Sequence, residues 1–174
     1  MNVAVQNILV RKTVTIEAPA AHVFSVFVER IDAWWPRKNR IGRTESFVAT
    51  IEPRVGGRWY ERGDDGSECD WGVVLAWEPP HRLLLSWNID AQWQYNPSFV
   101  TEVEVRFVEQ TPEFTRVELE HRKLERYAES AETMRGIFDS EQGWHGTLRA
   151  LRAEALAQQD CAATGARGGP QAKS

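Results

Sequence analysis

Cysteine occurs at only two of 174 positions, Cys69 and Cys161, too few for a disulfide framework in a chain of this length. The four histidines, His22, His81, His121 and His145, are scattered without ligand spacing and without a cysteine pair, so no metal site is expected. No apolar run approaches the ~20 residues needed to cross a bilayer, and Met1 to Gln6 lacks the basic-then-apolar pattern of a secretory leader. A cytoplasmic protein without a membrane span is the expectation. Positive charge is not in excess either: 21 Lys and Arg against 25 Asp and Glu give a net charge of −4, and the two signs are interspersed. Without a basic stripe, nucleic-acid binding lacks its electrostatic footprint. Gly-x-Ser-x-Gly is absent, and Gly56-Gly57 lies between two strand-like runs and opens no helix, so neither a nucleophile elbow nor a phosphate cradle is present and no cofactor is expected.

What the chain has in quantity is tryptophan, eight residues, set within strand-like sequence and enclosed by two matched end segments. At the start, Val10, Val14 and Ile16 alternate with Arg11, Thr13 and Thr15, the period-two pattern of a half-buried strand, with Lys12 as the exception. Pro19 then suits the first turn of a helix whose Val23, Phe24 and Phe27 recur at helical spacing, and Trp34-Trp35-Pro36 ends it. At the far end Trp144, Leu148, Leu151, Ala155 and Leu156 form one stripe of a long helix, while Arg149, Arg152 and Glu154 face outward. Between Ser130–Phe138 and that helix, Asp139 to Gly143 is turn-like and predicts a break.

The middle reads as an antiparallel meander. Phe47–Glu52 and Arg58–Arg62 flank a Gly56-Gly57 turn, and Asp65-Gly66 marks a tight hairpin. Cys69, Trp71, Val73, Leu75 and Trp77 share one parity of the next strand and predict an apolar face; Leu83, Leu85 and Trp87 do the same for the strand after it. Val103, Val105 and Phe107, then Val117 and Leu119, alternate with charged residues. The predicted class is α+β: a strand, two short helices, six strands and a long C-terminal helix, with a curved antiparallel sheet of about seven strands. A chain of this length builds one domain that buries about two-thirds of its unfolded surface, here placed at 8–158 with 159–174 as a flexible tail.

A helix laid over the apolar concave face leaves a space between the two, a candidate pocket. Trp35, Trp59, Trp71, Trp87 and Trp144 suit its lining, each with a flat apolar body and one donor; Val105, Leu119, His121 and Leu148 belong to the same inward set. These aromatics equally suit plain core packing. His121 shares parity with Val117 and Leu119, and Glu61 with Trp59, so the two are acid–base candidates if both face the space, with Asp70 as a further carboxylate. A buried histidine satisfied by neighbours and a solvated glutamate near a turn are the plainer readings of both. Trp34, Trp35, Trp93 and Tyr95 read as loop aromatics that would be covered as a lid, by a homodimer contact, or by packing of the loop on its own domain.

The motifs Val14-Thr-Ile-Glu-Ala-Pro-Ala-Ala-His-Val-Phe, Pro53-Arg-Val-Gly-Gly-Arg-Trp, Trp71-Gly-Val-Val-Leu-Ala-Trp-Glu-Pro-Pro-His-Arg-Leu and Gly143-Trp-His-Gly-Thr-Leu resemble the START-like, birch-pollen-allergen-like superfamily (SRPBCC). Within it they are most similar to homologues of the activator of the heat-shock-protein-90 ATPase, over roughly Ile8 to Ala157. The resemblance implies a helix-grip fold and a small hydrophobic ligand, aromatic or acyl, held in the sheet–helix cavity. An enzyme of the cyclase, dehydratase or hydrolase kind is the alternative, and a stress- or chaperone-related interaction module is the third. The eukaryotic co-chaperone joins this module to a separate amino-terminal domain; here only a short segment precedes the first strand, which argues against a chaperone partner.

Overall fold

The computed structural model describes residues 7–167, with side chains through residue 160. Among these, seven strands form one antiparallel sheet in the order β1-β7-β6-β5-β4-β3-β2: β1 (Val10–Ile16), β2 (Phe47–Ile51), β3 (Arg58–Gly63), β4 (Glu68–Glu78), β5 (Arg82–Trp87), β6 (Thr101–Thr111) and β7 (Phe114–Arg122). Every sequential pair from β2 to β7 is a meander neighbour, and β1 closes the far edge against β7, with Val10 opposite His121 and Val14 opposite Val117. The helices are α1 (Ala20–Glu29), α2 (Ile31–Trp34), α3 (Ala131–Asp139) and α4 (Gly146–Arg167), the last continuing past the end assigned to the domain from sequence. This is the helix-grip arrangement. None of the described helices is long and apolar enough to cross a membrane.

Local chemistry explains the elements. Pro19, at φ −62°, occupies the N-cap of α1, and α1 then buries Val23, Phe24 and Phe27. Phe24 and Phe27 meet Phe107 of β6 edge-on at 5.0 and 5.8 Å, fixing α1 against the concave face. In α4, Leu148, Leu151 and Ala155 are buried, each leucine contributing about 1.5–3 kcal/mol. The outer flank of α4 is tied down by Arg152 to Glu17 at 2.8 Å and by His22 Nε2, 2.9 Å from the Ala155 carbonyl oxygen. Gly66, at φ +84°, supplies the left-handed residue of the β3–β4 hairpin, as its Asp-Gly signal requires.

Strand β4 departs from simple alternation. Trp71 and Val74 are buried, whereas Val73 and Leu75 are 37% and 39% exposed. The register shifts against β3 between Trp59 and Tyr60, opposite Gly72 and Asp70, and again against β5 between Val74 and Ala76, and each irregularity moves the side chains that follow to the opposite face. The single-parity apolar face expected from Cys69 to Trp77 is therefore corrected. Gly72 marks the close approach: a methyl group there would stand 1.9 Å from the Ser86 carbonyl oxygen. Cys69 is half-buried rather than a core hydrophobe, and burial, followed by the charges of Glu61 and Asp70, pushes its thiol up to about 11, which leaves it protonated and unreactive near neutrality.

Trp34 and Trp35 are not surface aromatics. Each is only 4% exposed, because α2 carries them back over the sheet. Trp34 Nε1 donates to the Val26 carbonyl at 3.1 Å, and Trp35 lies 4.9 Å from Trp71. Trp93 and Tyr95, at 40% and 39%, are the loop aromatics that do remain exposed.

Candidate functional site

The expected break before the last helix is present and is the structural origin of the site. Gly143 adopts φ −94°, ψ −136° inside the turn Glu141–His145. A methyl group on it would come within 2.4 Å of the Ile137 and Phe138 carbonyl oxygens, so only glycine permits this approach of α3 to the start of α4. The break leaves Trp144 and Thr147 facing the segment after Trp35. Between them lies a cleft of about 240 Å³, at the small end of ligand sites and suited to about two or three fused rings. Trp35, Trp87, Trp93, Trp144 and Phe138 form its aromatic walls; Ile41 and Ile137 add apolar surface; Lys38, Asn39, Arg40, Gln142 and Thr147 supply the polar groups. Asn39 Nδ2 donates to Thr147 Oγ1 at 3.3 Å, linking the two walls.

Trp93 is held over the cleft by a strained loop. Its φ is +59°, a left-handed conformation that costs a bulky residue about 1–2 kcal/mol. Asp90 offsets this by accepting hydrogen bonds from the amides of Gln92 and Gln94 at Oδ1, 2.9 and 3.1 Å, and from the Trp93 amide at its carbonyl, 3.0 Å. The indole rests edge-on against Phe138 at 6.1 Å.

Of the residues singled out from sequence, Trp35, Trp87 and Trp144 line this cleft. Trp59, Trp71, Val105, Leu119, His121 and Leu148 are buried in the core instead. Trp59, Trp71 and Trp87 stack on one another at 5.3 to 6.2 Å and fill much of the space between sheet and helix at this end. The cleft is what stays open in front of them.

His121 sits one layer behind Trp144 and is fully buried. An indole N–H can only donate, so Trp144 Nε1, 3.1 Å away, makes His121 Nδ1 an acceptor and leaves the ring proton on Nε2. Nε2 then donates to Thr101 Oγ1 at 2.8 Å, and that hydroxyl donates to the Trp87 carbonyl at 3.1 Å. Burial lowers the imidazole pKa to about 3, so the ring is neutral. The Trp144 Nε1, His121 Nδ1 and Nε2 and Thr101 Oγ1 atoms are thus all partnered within this hydrogen-bond relay. Glu61, 1% exposed, also points inward, but its Oε1 accepts from the Ile41 amide (2.5 Å), the Gly42 amide (2.8 Å) and Trp71 Nε1 (2.9 Å). Asp70 is engaged by Arg58 at 2.6 Å. The three candidates share no partner and do not converge on one wall, so the structure does not assemble the acid–base pair considered from sequence.

A second hollow of about 560 Å³ runs between α1 and β2, lined by Phe24, Val28, Ile31, Val48, Ile51 and Trp77 among others. It is larger, but its Asp32 is already committed to Arg37 and to the Ala49 amide. Four indoles and the uncommitted side chains of Lys38, Arg40 and Gln142 coincide at the cleft beside Trp144, which is therefore the stronger candidate. Among the described residues no group of three His, Cys, Asp or Glu is placed to hold a metal.

The residues that sequence reasoning missed are Lys38 to Ile41, Ile137, Phe138, Gln142 and Thr147. They lie in irregular segments or at helix ends, where periodicity gives no signal. The cation-rich run Arg37-Lys38-Asn39-Arg40 directly after Trp34-Trp35-Pro36 was the one cue available.

Comparison with known proteins follows the same geometry. A family model described as Activator of Hsp90 ATPase homolog 1-like protein matches residues 17–155. Among solved structures, the anthrahydroquino-gamma-pyrone synthase Txn09, complexed with SUM, is 40% identical, with 84% of this chain and 96% of that chain covered and a TM-score of 0.60. The self-sacrificing resistance protein CalC from Micromonospora echinospora is 26% identical, covering 86% and 95% of the two chains at a TM-score of 0.66. Protein NE0264 from Nitrosomonas europaea shares the fold at 15% identity, covering 88% and 97%, with a TM-score of 0.63. No curated protein sequence matches the chain.

Proposed function

The chain belongs to the Activator of Hsp90 ATPase homolog 1-like family, and we propose that within it this protein binds a planar, oxygenated aromatic molecule in the cleft between Trp35, Trp93 and Trp144. The observation that carries the reading is the coincidence of four indoles with uncommitted polar side chains in one small opening. Flat indole faces reward a flat ligand, and the polar rim orients its oxygens. The 40% identical relative, named as a synthase of an anthrahydroquinone-type pyrone, supports the ligand class.

Calorimetric titration with alizarin, a hydroxylated anthraquinone, tests this. Saturable one-to-one binding is expected. Ile137→Trp, at a position 39% exposed in the cleft wall, should fill the opening and weaken binding by at least about tenfold while the protein melts at an unchanged temperature. No binding, or binding indifferent to that substitution, overturns the assignment. Trp93→Ala should weaken alizarin binding by about three- to thirtyfold, as for a truncated aromatic anchor, with a melting shift of only a few degrees because the ring is 40% exposed.

A second reading, favoured by the same synthase relative, is ring closure within the cleft. No carboxylate or imidazole lines it. The chain's own contribution would be to shape the precursor between indoles and to hold a developing oxyanion with Lys38 and Arg40. A new ring-closed product on incubation with a linear polyketide thioester distinguishes this reading from binding alone.

A further inference from the structure

The cationic side chains of the described residues are almost entirely spoken for. Arginines from Arg11 to Arg152 pair with carboxylates across the sheet faces and helix flanks, Lys12 pairs with Asp139 and Lys123 with Glu102. Arg126, without an ion pair, donates to the Val100 carbonyl. Among the described residues that leaves Lys38 and Arg40 as the cationic side chains with neither an ion pair nor a hydrogen bond, and both line the same cleft. The lining contains no Asp or Glu. A protein with net charge −4 therefore has one small opening whose own charge is positive.

Chance placement of two solvated cations does not account for the combination. Both stand on the short turn after Trp35, whose backbone is fixed from below: the Ile41 and Gly42 amides are held by Glu61, and Asn39 is linked to Thr147. The two residues thus line an aromatic slot from an anchored segment rather than from a free loop. Low-dielectric indole walls strengthen the field they project into it.

We infer that the ligand of this cleft is an anion: an aromatic body bearing a carboxylate, or an equivalently placed acidic oxygen, that seats between Lys38 and Arg40 while its rings lie against Trp35 and Trp144. This rests on the aromatic-ligand reading above and sharpens it. A carboxylate there gains a charge-assisted hydrogen bond from the guanidinium and a second cation beside it, and the exposed setting keeps the gain modest.

The test compares an anthraquinone monocarboxylate with the matching carboxamide, which has the same rings and no charge. Wild-type protein should bind the carboxylate about tenfold more tightly at low salt, and the preference should shrink as added salt shortens the screening length below about 10 Å. In the double variant Lys38→Gln, Arg40→Gln the carboxylate should lose its advantage over the carboxamide; both positions are exposed, so the variant should fold. Equal binding of the two probes by wild type, or a preference that survives in the double variant, overturns the inference and leaves the aromatic-ligand reading standing. Failure of both probes to bind overturns the two together.

Discussion

Replacing His121 with alanine is expected to destabilise the protein by about 3–5 kcal/mol, a drop in melting temperature of roughly 6–20 °C for a chain of this size. The imidazole is fully buried between Phe138, 4.4 Å away, and Trp144. Its removal leaves a cavity, and it also strands the Trp144 N–H and deprives Thr101 of its donor. His121→Phe separates the two contributions: the volume is retained, the hydrogen-bond chain is lost, and a smaller destabilisation of about 1–3 kcal/mol should remain.

The same histidine gives the protein an acid limb. Its folded pKa, about 3, is depressed below the ordinary value of 6.5, so on acidification the unfolded chain takes up a proton that the folded one refuses. Stability attributable to His121 is therefore intact above 6.5 and falls as pH drops toward 3, by up to about 1.4 kcal/mol per pH unit. Urea midpoints of wild type and His121→Phe, followed between about pH 4 and pH 7, should converge as the solution becomes more acidic. Parallel curves would show that the ring titrates in the folded state and is not the neutral, satisfied group described above.

The second large effect lies at Glu61. Alanine there should cost about 3–5 kcal/mol, because two backbone amides and the Trp71 indole lose one buried acceptor at once. The distinguishing result is local. Backbone amides of residues 38–44 should exchange hydrogen markedly faster in the variant, since Glu61 is what seats the segment carrying Lys38 and Arg40 on the sheet. Glu61→Gln keeps one acceptor oxygen and should retain most of the protection. If both variants exchange like wild type in this segment, the anchoring role is wrong.

The architecture was legible because its strands obey simple periods. Leu83, Leu85 and Trp87 are all buried as their alternation predicts, and the hairpin glycine Gly66 has the backbone its turn requires. Periodicity failed where geometry breaks the period: the irregularity of β4 at Trp71, against β3, turned Val73 and Leu75 outward, and the short α2 buried two tryptophans that read as loop. The site was less legible than the fold. Parity correctly placed His121 and Glu61 inside, but alternation cannot say whether an inward polar group faces a cavity or a partner. Only the folded chain brings Lys38 and Arg40 together with Gln142, more than a hundred residues away, around one opening.

The tryptophan stack has a consequence for how this molecule can be observed. Six of the eight indoles, Trp34, Trp35, Trp59, Trp71, Trp87 and Trp144, form one continuous set of ring contacts. Chromophores this close and this rigid share their excited states, and light absorbed by any one of them can migrate to the rings at the cleft. Near-ultraviolet circular dichroism, which depends on fixed aromatic packing, should therefore be unusually intense for a protein of this size, and a single quencher seated beside Trp144 should darken emission from most of the interior.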